Sequence, residues 1–127
     1  MSKINITSTV KKYPKNIPYD DIKRQILGDS YDLSLAFIGA KRAATINQQY
    51  RNKSYSPNVL SFPLDKQAGE IIICPSVADK EHSDFNLTPR GYIAFLFIHG
   101  LLHLKGYDHG DTMEKLERKH LKSFNIK

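Results

Sequence analysis

The stretch from Thr88 to Gly106 constrains the fold of this chain more than any other. Thr88 is a good N-cap residue, Pro89 suits the first helical position, where its missing N–H costs nothing, and Gly106 supplies the positive φ that commonly ends a helix. Between these signals Tyr92, Ile93, Phe95, Leu96, Phe97, Ile98, Leu101, Leu102 and Leu104 cover nearly the whole circumference. A helix apolar on every side must be enclosed by protein, since each apolar face left in water forfeits roughly 25 cal/mol per Å² of burial. The longest apolar run, Tyr92 to Ile98, is far short of the roughly 20 residues a bilayer demands. The sequence therefore predicts a central core helix and no membrane span.

The other segments supply the layers around it. Lys3 to Thr9 alternates as a strand with Ile4 and Ile6 on one face, and Asp20 to Leu27 reads as a short helix. Asp32 to Gly39 is a second strand in which Leu33, Leu35 and Phe37 alternate with Ser34 and Ala36. Ala40 to Arg51 is helical, with Ala43, Ile46 and Tyr50 on one face and Arg51 at its C-terminal end. A polar loop, Asn52 to Asn58, leads to Val59 to Phe62 and then Glu70 to Cys74, two short strands able to pair as a hairpin. Pro75 to Leu87 lacks a clear period and reads as a short helix plus loop. A last helix begins at Asp111, where Asp111 and Glu114 resemble a capping box. Strands mixed with helices in this order predict an α+β fold, a small mixed β-sheet packed on the central helix.

A chain of 127 residues fits one domain, 1–127, with a single core. Its 40% hydrophobic and 25% charged residues exclude a disordered tail or a fibrous protein. One cysteine, Cys74, excludes an internal disulfide and reads as a small buried hydrophobe. Met1 to Val10 lacks the apolar core of a signal peptide, so a cytoplasmic location is expected. A net charge of +6 admits a polyanionic partner, because cations that neutralise phosphates release counterions.

The chemistry is carried by the end of the central helix and the residues after it. His99 and His103 are four apart, offset by only about 40° around a helix, so both rings can reach one point. Gly106 lets the chain turn back and bring His109 to the same place. Three neutral imidazoles suit one Zn²⁺ and leave a fourth position for water, as a catalytic site requires. With five histidines and seven glycines in the chain, His, His, Gly and His at offsets 0, 4, 7 and 10 would arise by chance in roughly one such chain in a thousand or fewer. The offsets are those of metzincin proteases, but Gly100 occupies the position of the catalytic glutamate, which removes the general base that peptide hydrolysis by that route needs.

The segment His99-Gly-Leu-Leu-His-Leu-Lys-Gly-Tyr-Asp-His109 resembles the signature of the YbeY endoribonuclease family. The resemblance extends to Asn47-Gln-Gln-Tyr-Arg51, Val59-Leu-Ser-Phe-Pro63 and Gly69-Glu-Ile-Ile-Ile73, and so spans about residues 33 to 121. It implies a zincin-like fold, a metal-dependent endoribonuclease cutting single-stranded RNA, and a place in 16S ribosomal RNA 3′-end maturation and ribosome quality control, with ribosomal RNA and the ribosome as partners. It also implies that His99, His103 and His109 bind the metal, usually zinc, and that Arg51 and His99 serve catalysis. The planar guanidinium of Arg51 suits a phosphate oxygen and the extra negative charge of a pentacovalent transition state. Pro57-Asn58 stands where the family usually has Thr-Asp, and Glu70 where it usually has Asp. The rival functions are a zinc protease and a non-catalytic zinc-containing ribosome assembly factor.

Several residues carry two readings each. Asp108 can orient a ligand histidine or serve the turn after Gly106. Phe62 can stack on an unpaired base or pack in the core. His82 and His120 fall outside the metal spacing and read as a loop residue and a surface-helix residue. Lys41, Arg42, Lys105, Lys115, Arg118, Lys119 and Lys122 can track an RNA backbone or simply be solvated.

Overall fold

The computed structural model describes residues 3–127; the leader reading of Met1 to Val10 therefore lies partly outside the described residues. In chain order the elements are β1 (Lys3–Ser8), α1 (Tyr19–Leu27), β2 (Asp32–Phe37), α2 (Ala40–Arg51), β3 (Val59–Asp65), β4 (Ala68–Ile73), α3 (Pro75–Glu81), a 3-10 turn (His82–Phe85), α4 (Pro89–Lys105) and α5 (Asp111–Ser123). The strands form one sheet in the order β1-β2-β4-β3. β1, β2 and β4 run parallel, and β3 pairs antiparallel with β4 as the expected hairpin. The α+β expectation of a small mixed sheet on a central histidine-bearing helix holds.

Alternation along the strands sorts the two faces of the sheet. Leu33, Leu35 and Phe37 of β2 and Ile71 and Ile73 of β4 point one way and are fully buried, together with Ile22 of α1 and Phe97, Ile98 and Leu101 of α4. Leu60 of β3 and Ile72 of β4 point the other way and pack with Ala43 of α2. The sheet is thus covered on both faces, which is why the run Ile71 to Ile73 is apolar without alternation. α4 lies inside the larger cluster and buries residues on every side, from Tyr92 and Ile93 to Leu101 and Leu102. No helix among the described residues is long and apolar enough to cross a membrane.

The ends of α4 follow the sequence signals. The Thr88 hydroxyl accepts from the Gly91 N–H at 3.0 Å. At the other end Gly106 adopts φ 112°, and Tyr107 N–H reaches back to the Leu102 carbonyl at 3.0 Å, closing the helix and reversing the chain.

Three local expectations change. The hairpin strands are longer than read: β3 runs through Pro63 to Asp65, because it is an edge strand where a missing N–H is tolerated, and the register shifts between Pro63 and Asp65. The capping box at Asp111 and Glu114 does not form. Gly110, with no side chain, is the N-cap, and the two acids instead occupy the first turn, where they meet the positive end of the helix. His120 is not a surface residue. It is 6% exposed, with Nδ1 at 2.6 Å from the Gln25 amide nitrogen, and burial and then the neighbouring Lys119 and Lys105 hold it below its ordinary value. His82 stays in its turn, its Nδ1 against the Leu87 carbonyl at 2.8 Å. Cys74 is buried and free, as expected.

Candidate metal centre

The helix period and the Gly106 turn bring the three histidines together. Ring centroids of His99 and His103 are 4.6 Å apart, and His109 lies 5.0 Å and 4.9 Å from them. One ligand atom from each lies within 4.8 Å of the other two, so the group could hold a metal ion. His109 is exposed, on the loop beyond Gly106.

The protons on the first two rings can be deduced from their partners. His99 Nδ1 sits 2.6 Å from Oε2 of Glu117, and His103 Nδ1 sits 2.9 Å from the Tyr107 carbonyl oxygen. A carbonyl only accepts, and an ionised carboxylate only accepts, so both Nδ1 atoms carry hydrogen in the neutral rings. Both Nε2 atoms are then bare lone pairs, and they face each other at 3.1 Å. Two bare nitrogens at that distance repel unless a cation lies between them and a third donor. Two nitrogens bound at tetrahedral angle to one zinc stand about 3.3 Å apart, so the donor pair fits such an ion. Burial, and then the neighbouring His99 and His109, push His103 below its usual value against the opposing pull of the Tyr107 carbonyl, which favours the neutral, ligating form.

Glu117 is the residue that sequence reasoning missed. It is 7% exposed, on the inward face of α5 with Met113 and His120 at i, i+4 and i+7. A glutamate on the core-facing stripe of a helix was a legible signal that it has a partner, because a buried carboxylate without one is costly. Asp108, the sequence candidate for that task, is exposed, and the rear nitrogens of His99 and His103 are met by Glu117 and the Tyr107 carbonyl instead.

A cleft of about 780 Å³ opens over the histidines, lined also by Arg51, Phe62, Phe85, Phe95, Glu114 and Glu117. Arg51 reaches it from the end of α2, where Asn52 in the left-handed conformation stops the helix. The guanidinium is exposed, and none of the ion pairs among the described residues includes it. Phe62 is half-buried, packs against the smaller core cluster and meets the ring of exposed Tyr50 edge-on at 5.7 Å, in accord with its packing reading, and it also lines the cleft. Asn58 also lines the cleft. Its amide nitrogen donates to Glu81 Oε1 at 3.0 Å and its oxygen accepts from the Val59 N–H at 2.7 Å. A carboxylate in its place would face Glu81 with like charge, which gives the Asn at this position a structural reason. Of the cationic residues, Lys115, Arg118, Lys119 and Lys122 are exposed on the side of α5 opposite Met113 and Glu117, and Lys41, Arg42 and Lys105 are exposed as well.

Gly100 is buried, and a Cβ there would lie 3.0 Å from Ser61 Oγ and 3.1 Å and 3.2 Å from two carbons of Ile71. A side chain at this position meets β3 and β4 at once. Gly100→Glu should therefore confer no casein cleavage and should destabilise the fold by about 3 kcal/mol or more, the cost of overpacking plus a buried, unpaired carboxylate. Thermal melting of the variant against wild type checks this, and an unchanged melting temperature would contradict it.

The chain matches the family model described as Endoribonuclease YbeY over residues 2–125. A Mesoplasma florum protein named Endoribonuclease YbeY is 34% identical over 119 residues, covering 78% of this chain and 70% of that protein. A Neisseria meningitidis serogroup C protein of the same name is 39% identical over 104 residues, covering 72% of this chain and 61% of that protein. The alignments thus span about two thirds of the length of these curated relatives. The solution structure of the Thermotoga maritima protein TM1509 superposes with a TM-score of 0.67 at 26% identity, covering 95% of this chain and 88% of that one.

Proposed function

The chain belongs to the Endoribonuclease YbeY family, and on that premise we propose that it is a zinc-dependent endoribonuclease of single-stranded RNA. Residues 1–127 act as one cytoplasmic domain, in ribosomal RNA processing that includes 16S 3′-end maturation and in ribosome quality control, with the ribosome as partner. His99, His103 and His109 hold one zinc, and Arg51 holds the phosphate to be cut. The observation that carries this reading is the pair of imidazole Nε2 atoms of His99 and His103, 3.1 Å apart in the cleft that Arg51 also lines.

When bound, the ion supplies a Lewis acid for a phosphoryl oxygen and lowers the pKa of water at neutral pH. The protein's own part is orientation. Glu117 accepts a hydrogen bond from Nδ1–H of His99 and fixes its tautomer, while the Tyr107 carbonyl does the same for His103. Arg51 offers two parallel N–H donors to a phosphate in the same cleft. Among the described residues the group of possible ligands contains three protein donors, which would leave a tetrahedral ion one position and so favours catalysis over a closed structural site. The buried, sheet-facing Gly100 speaks against the protease reading.

The test is cleavage of single-stranded RNA by purified protein, first stripped of metal and then restored with zinc. Loss and recovery of cleavage is the expected result; cleavage indifferent to stripping, or cleavage of casein in place of RNA, would overturn the reading. Glu117 gives a further check. Glu117→Ala should weaken zinc binding about 10- to 100-fold in competition with a chelating indicator, because His99 loses the partner that orients it. Glu117→Gln, whose amide oxygen can still accept the Nδ1 proton, should recover part of the loss; equal zinc affinity in all three proteins would remove Glu117 from the site.

A further inference from the structure

Phe85 is the one phenylalanine of the chain that stands exposed, at 50%. It ends the 3-10 turn His82–Phe85, packed on the buried Tyr92 and lining the cleft over the histidines. The turn is tied down. Asn86 N–H donates to the Ser83 carbonyl at 3.2 Å, Leu87 N–H to the His82 carbonyl at 3.3 Å, and His82 Nδ1 meets the Leu87 carbonyl at 2.8 Å.

One face of the Phe85 ring rests on Tyr92, with centroids 4.9 Å apart and planes 28° from parallel. Tyr92 is itself fixed, its hydroxyl donating to Glu81 Oε1 at 2.9 Å. Phe95 lies 5.7 Å from Phe85 and 6.1 Å from His99. The rings form a ladder along one wall of the cleft, with its exposed rung two ring contacts from the histidines.

We propose that Phe85 is a stacking platform for an unpaired nucleobase of the substrate strand, adjacent to the phosphate held at the histidines. This rests on the single-stranded RNA reading above. A half-exposed ring backed by a second ring is ordered before the base arrives, so little freedom is lost on stacking. Every base has a π-face, so such a platform tolerates any sequence, yet it takes only a base whose own face is free. A base in a duplex is stacked on both sides, and the platform thereby favours single strands. The +6 chain and the Arg51 guanidinium in the same cleft fit the phosphates on either side of that base.

The experiment titrates a short single-stranded oligoribonucleotide into zinc-loaded protein and follows steady-state cleavage in parallel. Phe85→Leu keeps an apolar side chain but removes the π-face; it should raise Kd and KM about 5- to 150-fold with kcat and zinc content near wild type. Phe85→Trp should restore binding. Because the chain has no tryptophan of its own, the fluorescence of this variant reports that position alone and should be quenched as RNA binds. RNA binding with unchanged fluorescence in Phe85→Trp, or wild-type Kd in Phe85→Leu, would overturn the platform and leave the nuclease reading intact. A zinc-loaded wild type that neither binds nor cuts RNA would overturn both.

Discussion

Replacing His103 with alanine should empty the metal centre: elemental analysis should fall from about one zinc per chain to near none, and RNA cleavage should fall to background. His103 is the middle member of the group, its Nε2 at 3.1 Å from that of His99 and its ring 4.9 Å from His109. Its Nδ1 hydrogen bond to the Tyr107 carbonyl also ties the helix end to the turn that carries His109. Losing a ligand must cost more than the roughly 10- to 100-fold typical of losing a partner behind one. Only neutral imidazole ligates, so the wild type should keep zinc at neutral pH and release it as the pH falls below about 6.5. The metal-free fold carries the same sign. His103 and His120 are both held below their ordinary value in the native state. As the pH falls below about 6.5 the unfolded chain takes up protons first, and stability is lost until the lower native values are reached. A His103→Ala protein with unchanged zinc content would refute the assignment.

What was legible in the sequence, and what was not, divides along the difference between local and tertiary causes. The whole of α4 could be read because its cap, its N-terminal proline, its apolar circumference and its glycine stop act within a few residues. The pairing of His99 with His103 is equally local, since one helical turn fixes it. Glu117 could not be assigned to His99 without knowing that α5 folds back on α4, although its place between Met113 and His120 marked it as inward. His120 was misread for the same reason. Next to Lys119 and two residues before Lys122 it looks exposed, but Gln25 of α1, far away in sequence, meets its ring at 2.6 Å. At Asp111 the local pattern suggested a cap that the chain did not use, because Gly110 at φ 152° already sets the entry into α5. Phe85 carried no periodic signal at all; only the ring ladder to His99 gives it meaning.

Arg51→Ala separates substrate binding from metal binding, and should keep full zinc content and a native fold while losing most RNA cleavage. Arg51 is permanently cationic and cannot ligate a metal. It is exposed at the last turn of α2, so its removal leaves no cavity. It nonetheless lines the cleft of the three histidines, and no ion pair among the described residues engages it, which leaves its charge available to a ligand. Loss of a charge-assisted contact at a reacting phosphate costs on the order of 2 to 4 kcal/mol in the transition state, or roughly 30- to 1,000-fold in rate. Arg51→Lys should recover only part of this, since an ammonium keeps the charge but loses the two-pronged geometry. The loss should fall on kcat as well as KM, because the negative charge on the phosphoryl oxygens is greatest in the transition state. An Arg51→Ala protein that cut single-stranded RNA at the wild-type rate with zinc in place would return this arginine to the plain role of a solvated helix end.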